Sequence, residues 1–456
     1  MAGQRAAGRR PQVVIAGGGV AGIEALIALR ELLDGFVGID LVAPGKEFVY
    51  RPLSVAEPFG LAEPRRFPLR EIAADNGAEL RAGLLHAVEH ERRVVRLGDG
   101  ASLSYDALLV AVGARPHDWL EGAVSFAGPE DVGQLRRLVA DLDAGILGSV
   151  AFVAPAGPTW TLPLYELALL TAAHVAEHAR GGVRLTVVSP ETSPLEVFGD
   201  AAARHVRELC VNRGIELRSA TLATAFQNGI LEIDPGGSVE ADAVVALPKL
   251  EGEPIEGLPC DDAGFVLVDE HCAVDGLSGV YAAGDGIAYP VKQGGLATQQ
   301  ADAAAEAIAG ELGATIGPRP FRPRLRGQLL TGLGPTYLTA GVTDTGIKES
   351  WIAANPLWWP PSKIAGRYLA PYLSSRGTYG RAEELKERPP VSREVAEKVS
   401  GEREDVRRLA VTFAEMDARV GDYDSALAWL ETIEQLDGLL SPLLLQKRAE
   451  WRERTR

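Results

Sequence analysis

Gly17, Gly19 and Gly22 are spaced as G-x-G-x-x-G, directly after the apolar run Val13 to Ala16 and around the start of a helix-like run from Val20 to Leu33. Between a strand and a helix, glycines permit a sharp turn and let the first free N–H groups of the helix approach a pyrophosphate. Val13 to Ala16 reads as a buried parallel strand and Val37 to Val42 as the next one, so the chain opens with a dinucleotide-binding strand–helix–strand unit. The contacts expected of that turn fall on Gly17, Gly18, Gly19, Ala21 and Gly22. An acid usually stands roughly 20 residues on, to accept ribose hydroxyls. Ala43 occupies that position, with Asp40 inside the strand and Glu47 beyond it, which leaves the ribose to one of those acids, to backbone, or to weaker holding.

The same grammar recurs further along. Glu79 to Gly113 reads as a β-rich meander that turns at Gly98-Asp99-Gly100 and ends in the strand Ala107 to Val112. A second α/β unit begins with the strand Ser149 to Val153, continues in a helix from about Leu164 to Arg180 and closes with the strand Val183 to Val188. Strands at Gly264 to Asp269 and Gly279 to Ala283 then lead to Gly284-Asp285 and an Ala-rich helix from Gly295 to Ala309. Beyond Gly380 the sequence becomes rich in charge and Pro389-Pro390 breaks it, marking a linker. Val406 to Val420 and Ser425 to Leu436 have helical spacing around Gly421-Asp422-Tyr423, a two-helix hairpin similar to one tetratricopeptide unit.

Composition removes several classes. With 46 Lys and Arg against 62 Asp and Glu, the net charge is −16, which argues against nucleic acid as a partner. No apolar run approaches the roughly 18 to 20 residues that span a bilayer, and the basic Met1 to Arg10 lacks the apolar core of a signal peptide, so a disordered cytoplasmic lead-in is expected. Cys210, Cys260 and Cys272 form no C-x-x-C pair; they read as structural thiols in a reducing compartment, and no metal site is expected. His174-x-x-Glu177-His178 matches an inverted zinc-protease pattern but has no third ligand to nominate, and it is set aside.

Three segments together carry a family resemblance. Tyr105 to Pro116, which holds Ala111 and Gly113, resembles the strand and turn that close the first part of the FAD domain in two-dinucleotide-domain flavoproteins; Gly279 to Asp285 resembles their second FAD signature. With the opening glycines, these make the chain resemble the pyridine nucleotide-disulfide oxidoreductase superfamily over about residues 10 to 380. Phe48-Val49-Tyr50-Arg51-Pro52-Leu53, Pro163-Leu164-Tyr165-Glu166 and Lys292-Gln293-Gly294-Gly295 are similar to the branch of type II NADH dehydrogenases and sulfide:quinone oxidoreductases. The fold implied is α/β with two Rossmann-like domains. A discontinuous FAD domain (10–118 and 245–320) carries an inserted NAD(P)-like domain (119–244), followed by an aromatic segment (321–385) and a helical tail (390–456).

The resemblance implies FAD as cofactor, NAD(P)H as co-substrate and a quinone-like acceptor. Asp285 and Gly284 would hold the ribityl chain, Arg51, Ala111 and Gly113 would line the site, and the helix starting near Gly295 would turn its positive end to the flavin, with Lys292 adding a cation. Glu166, in the first turn of the second unit's helix, is a candidate proton relay or simply a carboxylate favoured by a helix start. The second unit departs from the pattern, because Ala154 to Trp160 offers one glycine where three are usual. Glu191 remains available for a nicotinamide ribose, which slightly favours NADH over NADPH. In sulfide-oxidising relatives a redox cysteine lies near this loop; here Trp160 stands there.

Trp351, Trp358, Trp359, Tyr368 and Tyr372 form an aromatic cluster that suits either peripheral contact with the inner face of a membrane or a plug over the flavin. Two other readings stay open: a flavoprotein quinone reductase with a non-nicotinamide donor, and a flavin-bearing interaction or sensor module that recruits a protein partner through its tail.

Overall fold

The computed structural model describes residues 9–63, 65–178, 182–343, 346–358, 360–376, 440 and 442–454, with 414, 418, 423, 426, 427 and 430 in the tail. Seven helices between residues 9 and 376 are used below: α1 (Val20–Leu33), α2 (Leu69–Asp75), α3 (Val132–Asp143), α4 (Leu162–His178), α5 (Asp200–Asn212), α6 (Gly294–Glu311) and α7 (Leu369–Ser375).

The first parallel sheet runs Val280–Ala282, Ala107–Val110, Gln12–Ala16, Gly38–Ala43, Glu79–Ala82. Side chains alternate across such a strand. Val13 and Ile15 therefore join a core with Leu26 of α1 and Ile308 of α6, whereas Val14, Leu108 and Val110 face Val88, Val95 and Leu97. Those last three belong to an antiparallel meander, Leu85–Glu89, Val94–Leu97 and Ser102–Ser104. Both faces are covered, which is why the inner strands are continuous apolar runs. Small residues let α1 and α6 approach closely: Ala25, Ala28, Ala301, Ala304 and Ala305 are all fully buried.

The second parallel sheet, Val124–Ser125, Ala243–Ala246, Ser149–Val153, Arg184–Val188, Ile215–Arg218, repeats the plan. Val150 and Phe152 pack with residues of α3 and α4, while Ala151 and Val153 pack with Leu231 and Ile233 of a second meander. A third sheet, Arg324–Leu330, Pro335–Thr343 and Gly346–Ala353, is antiparallel.

Several expectations change. Glu79–Ala82 is not part of the meander but the edge strand of the parallel sheet. The strand expected to reach Val112 stops at Val110, because the chain then turns over the glycine loop. Gly264 to Asp269 forms no strand: Val266 and Val268 make only isolated bridges to Cys260, Ile287 and Val274. The third sheet lay unread in the sequence, and Trp351 belongs to its last strand.

In the tail, the hairpin proposed at 406 to 436 lies mostly outside the described residues. Ala414, Ala418, Tyr423, Ala426, Leu427 and Leu430 are helical, and a further helix, Pro442–Arg454, was not anticipated. Ala414, Ala426, Leu430 and Trp451 are buried with Tyr337, Leu357, Trp358 and Ala365. Trp358 and Tyr368 are themselves buried, so these two rings present no face to a membrane. Trp359 lies outside the described residues. Among the described residues no helix is long and apolar enough to cross a bilayer.

Candidate active site at the carboxyl edge of the first sheet

Three adjacent strands end level with one another: Ala16 pairs with Val110, and Val110 with Ala282. The loops that follow, at Gly17, Ala111 and Ala283, therefore leave the same edge, where ligands of open α/β sheets bind. Packing fixes the glycine loop. Gly17 has φ +132° and a Cβ there would lie 2.0 Å from the carbonyl oxygen of Ala111; a Cβ on Gly22 would lie 1.9 Å from that of Gly17. At Gly18 the same atom would meet Leu69 at 2.7 Å and Ala43 at 3.0 Å, whereas at Gly19 nothing lies within 4 Å. Gly19 is the N-cap of α1 and has no side chain to satisfy the first N–H groups of the helix, which suits an anion at this helix start. The cradle fits a pyrophosphate.

The other loops close around it. Gly113 has φ +81° and open space beside it, and a Cβ on Gly286 would lie 3.0 Å from the Gly113 carbonyl oxygen. Gly284 (φ +88°) lies against Ala21, where its Cβ would sit 3.1 Å from that of Ala21, and donates its N–H to Gln300 Oε1 at 2.9 Å. Asp285 is half-buried, and its carboxylate accepts no hydrogen bond from protein among the described residues. Burial pushes that carboxyl up, and the positive charges of Lys292 and Arg51 oppose the shift. A half-buried acid beside this glycine turn, with two cations near it, suits a polyhydroxyl ligand. Arg51 is exposed and opens the 3₁₀ turn Arg51–Leu53.

Lys292 is buried, donating to the Ile287 carbonyl at 2.6 Å with its ammonium 3.6 Å from the Phe265 ring centre. Burial pulls its ammonium down to about 8, against the pull of Asp285. At the start of α6, Gln293 Oε1 accepts from the Leu296 N–H at 3.1 Å, so the positive end of this helix is partly used by its own cap. Gly295 faces that cap, and a Cβ on Gly294 would lie 3.0 Å from Ile364.

Glu166 is fully buried on α4 rather than open to a cleft. Its oxygens accept from Lys363 Nζ at 2.6 and 2.7 Å, and Oε1 also takes the Leu330 N–H at 2.8 Å. Burial raises the carboxyl while Lys363 lowers it; the lysine in turn is pulled down by burial and up by Glu166. Nothing in the sequence pointed to Lys363, an isolated lysine after two prolines and a serine and 197 residues away. Glu191 is likewise occupied, accepting from Thr161 and Tyr165 hydroxyls at 2.8 Å and from Ser189 Oγ at 3.0 Å. Trp160, in the adjoining loop, packs edge-on against Phe198 at 5.7 Å.

Neither acid near Ala43 is available for a ribose in the expected way. Asp40 takes Gln12 Nε2 at 2.6 Å and Arg81 Nε at 2.9 Å, and Glu47 pairs with Arg66 at 3.4 Å on the surface. The sheet end at Ala43 is itself buried. His174 bonds Asp143 at 2.8 Å and stacks on His178 with ring centres 4.3 Å apart. All three cysteines are free; burial pushes Cys210 and Cys272 up to about 12, so both are inert thiols at neutral pH.

Two parallel α/β units, with a glycine loop between strand and helix at the edge of the first, define a protein of the double-dinucleotide-fold type. The chain belongs to the pyridine nucleotide-disulphide oxidoreductase family, whose profile matches residues 11–307, and is an oxidoreductase of that family. It is 28% identical over 335 residues to the ferredoxin–NAD(+) reductase subunit of the benzene 1,2-dioxygenase system of Pseudomonas putida, covering 66% of this chain and 74% of that one. An NADH dehydrogenase-like protein of Mycobacterium tuberculosis is 28% identical over 294 residues, 60% of this chain and 72% of its own. The structure is similar to the sulfide:quinone oxidoreductase of Aquifex aeolicus, with TM-score 0.69 and 20% identity over 75% of this chain and 86% of that one. That last likeness concerns the fold.

Proposed function

We propose that the chain is an FAD-dependent oxidoreductase that takes electrons from NADH and passes them to a quinone-like acceptor. The observation that carries the flavin is the meeting, at one sheet edge, of the glycine-capped start of α1 and the half-buried carboxylate of Asp285. In this reading residues 10–118 and 245–320 form the FAD domain and 119–244 the NAD(P)-like domain. The backbone of Gly17 to Gly22 binds the pyrophosphate, Asp285 accepts from ribityl hydroxyls, and Gly113 and Gly284 leave room for the cofactor's approach. FAD, when bound, supplies a ring that accepts a hydride and releases electrons singly or in pairs. Lys292, held by Ile287 and Phe265, sets a positive charge near the cofactor, where negative charge accumulates on reduction. Glu166 and Lys363 hold a proton between them, sheltered from water, one residue from the contact between Ile364 and Gly294.

The relatives named as ferredoxin–NAD(+) reductases support a nicotinamide donor and make a small redox protein the rival acceptor. One observation favours a second reading, in which another donor reduces the flavin. Glu191, the acid suited to a nicotinamide ribose, already accepts three protein hydrogen bonds, and the ribose would have to displace them.

Anaerobic mixing of the FAD-loaded protein with NADH, then NADPH, followed at the flavin absorbance, separates these readings. Rapid bleaching by NADH, reversed by a soluble quinone, is the expected result. Reversal by a ferredoxin alone would reassign the acceptor, and no bleaching by either nucleotide would reassign the donor.

A further inference from the structure

Glu24 stands on α1 two residues past the last glycine of the cradle and is fully buried. Its carboxylate accepts the N–H of Tyr368 at 2.9 Å and of Leu369 at 2.6 Å. A buried carboxylate is costly unless its oxygens are satisfied, and the donors come from the end of a strap, 362 to 369, that leads into α7. The strap is also fixed where the Ile364 N–H donates to Tyr50 Oη at 3.0 Å and where Lys363 meets Glu166. Gly366 makes the seat possible: a Cβ there would lie 2.6 Å from Glu24 Oε2 and 3.0 Å from Thr298 Cγ2 on α6.

Thr298 locates the other half of the device. One turn further along the same face of α6 is Asp302, whose Oδ1 is buried without a hydrogen-bond partner. One turn beyond is Glu306, bonded by Arg319 Nε at 3.1 Å to each oxygen and approached by Arg367 at 3.6 Å. The charged and titratable groups around Glu24 are therefore Asp302 and Glu306 from α6, Arg367 and Tyr368 from the strap, Arg319 from the loop after α6, and Glu31 further along α1. Two carboxylates buried between close-packed helices do not both ionise cheaply. Burial pushes Glu24 up to about 7, and burial together with the charge of Glu24 pushes Asp302 well above the carboxylate range.

We propose that Glu24 is a positioning residue: its carboxylate seats the strap on α1, and the seated strap holds Lys363 against Glu166. The role of Lys363 rests on the function proposed above, whereas the seat does not. Glu24 loses an acceptor when it gains a proton below neutrality. Asp302 repels Glu24 when it loses its own proton at alkaline pH. Seating is thus best just above neutrality, where Glu24 has lost its proton and Asp302 has kept its own, and it is lost on both sides.

Hydrogen exchange of the full-length protein, read by mass spectrometry over 362 to 376 and corrected for intrinsic rates, tests this. Protection of the Tyr368 and Leu369 amides is expected to fall at least about tenfold in the wild type as the pH is raised from just above neutrality through the alkaline range. Asp302→Asn, which cannot ionise, is expected to keep it. Glu24→Gln, whose amide can offer those N–H groups only one oxygen, is expected to lose protection throughout. The alkaline limb of quinone reduction should disappear in Asp302→Asn, while the rate of flavin reduction by donor is unchanged. An equal alkaline loss of protection in Asp302→Asn and wild type overturns the proposal, as does full protection in Glu24→Gln. If Glu24→Gln does not fold, the Asp302→Asn comparison still decides. Exchange of these amides is measured without turnover, so a failed dehydrogenase assay leaves the result on the seat intact.

Discussion

Burying a lysine forces a choice between a paired charge and a lowered affinity for its proton, and Lys292 shows both. A carbonyl and an aromatic face hold its ammonium, yet desolvation still brings it from 10.5 to about 8. The unfolded chain keeps this proton up to its ordinary value, so between pH 8 and 10.5 the unfolded state binds more protons than the folded one. Stability should therefore rise with pH across that window. Lys292→Met removes the rise. In cofactor-free protein the variant is expected to be more stable than wild type at pH 7, by roughly 1–3 kcal/mol, with the gap closing by pH 10.5. Urea unfolding at several pH values checks this; a constant gap would show that the residue's charge is not what the fold resists.

At the scale of the element, the start of α1 separates a glycine needed for the fold from one needed for a ligand. Gly22 lies against the Gly17 carbonyl, so Gly22→Ala must displace the turn and is expected to cost stability with or without cofactor. Gly19 has open space where a Cβ would go. Gly19→Ala is expected to leave the melting temperature of cofactor-free protein nearly unchanged while weakening FAD binding by about tenfold or more, the equivalent of 1.4 kcal/mol. Calorimetry of both forms with the flavin-to-protein absorbance ratio measures the two effects. If Gly19→Ala retains full flavin, the pyrophosphate does not lie at this helix start. The same element explains why Ala43 is small, since its side chain and Leu69 of α2 close over Gly18.

Across the whole molecule, residues 360 to 376 tie units that the chain order separates. Lys363 reaches Glu166 in the second unit, while Ile364 and Leu369 reach Tyr50 and Glu24 in the first. The Trp358 indole donates to the Ser362 carbonyl at 2.8 Å and packs edge-on against Tyr337 at 5.3 Å, so the aromatic segment backs the same strap. Removing one member of a buried ion pair leaves the other uncompensated, which typically costs about 3–5 kcal/mol. Lys363→Met is expected to lose that much in urea unfolding. The double variant Glu166→Gln with Lys363→Met should recover most of it, because no buried charge is left without its partner. A double variant as unstable as Lys363→Met alone would mean that the loss lies in packing.

The local pattern of the sequence determined the opening strand, glycine turn and helix, the second α/β unit, and the approximate places of Gly113, Gly284, Asp285 and Lys292. Hydrophobic periodicity and glycine spacing act over a few residues and can be read directly. The pattern could not reveal that Glu79–Ala82 pairs with Gly38–Ala43, because register across a sheet depends on partners distant in the chain. Nor could it show that Gly264 to Asp269, apolar enough for a strand, finds no ladder to join. The carboxylates diverge most from their sequence reading: Glu166 reads as a proton relay or a helix-start acid, Glu191 as an acid for a nicotinamide ribose and Asp40 as a strand acid near a ribose, while Glu24 carries no reading at all. Tertiary structure gave the first a lysine, the second three hydroxyls, the third an arginine and a glutamine, and the fourth two backbone amides. What a buried charge does is set by the groups that replace its water, and in this protein those groups come from parts of the chain that only the fold brings together.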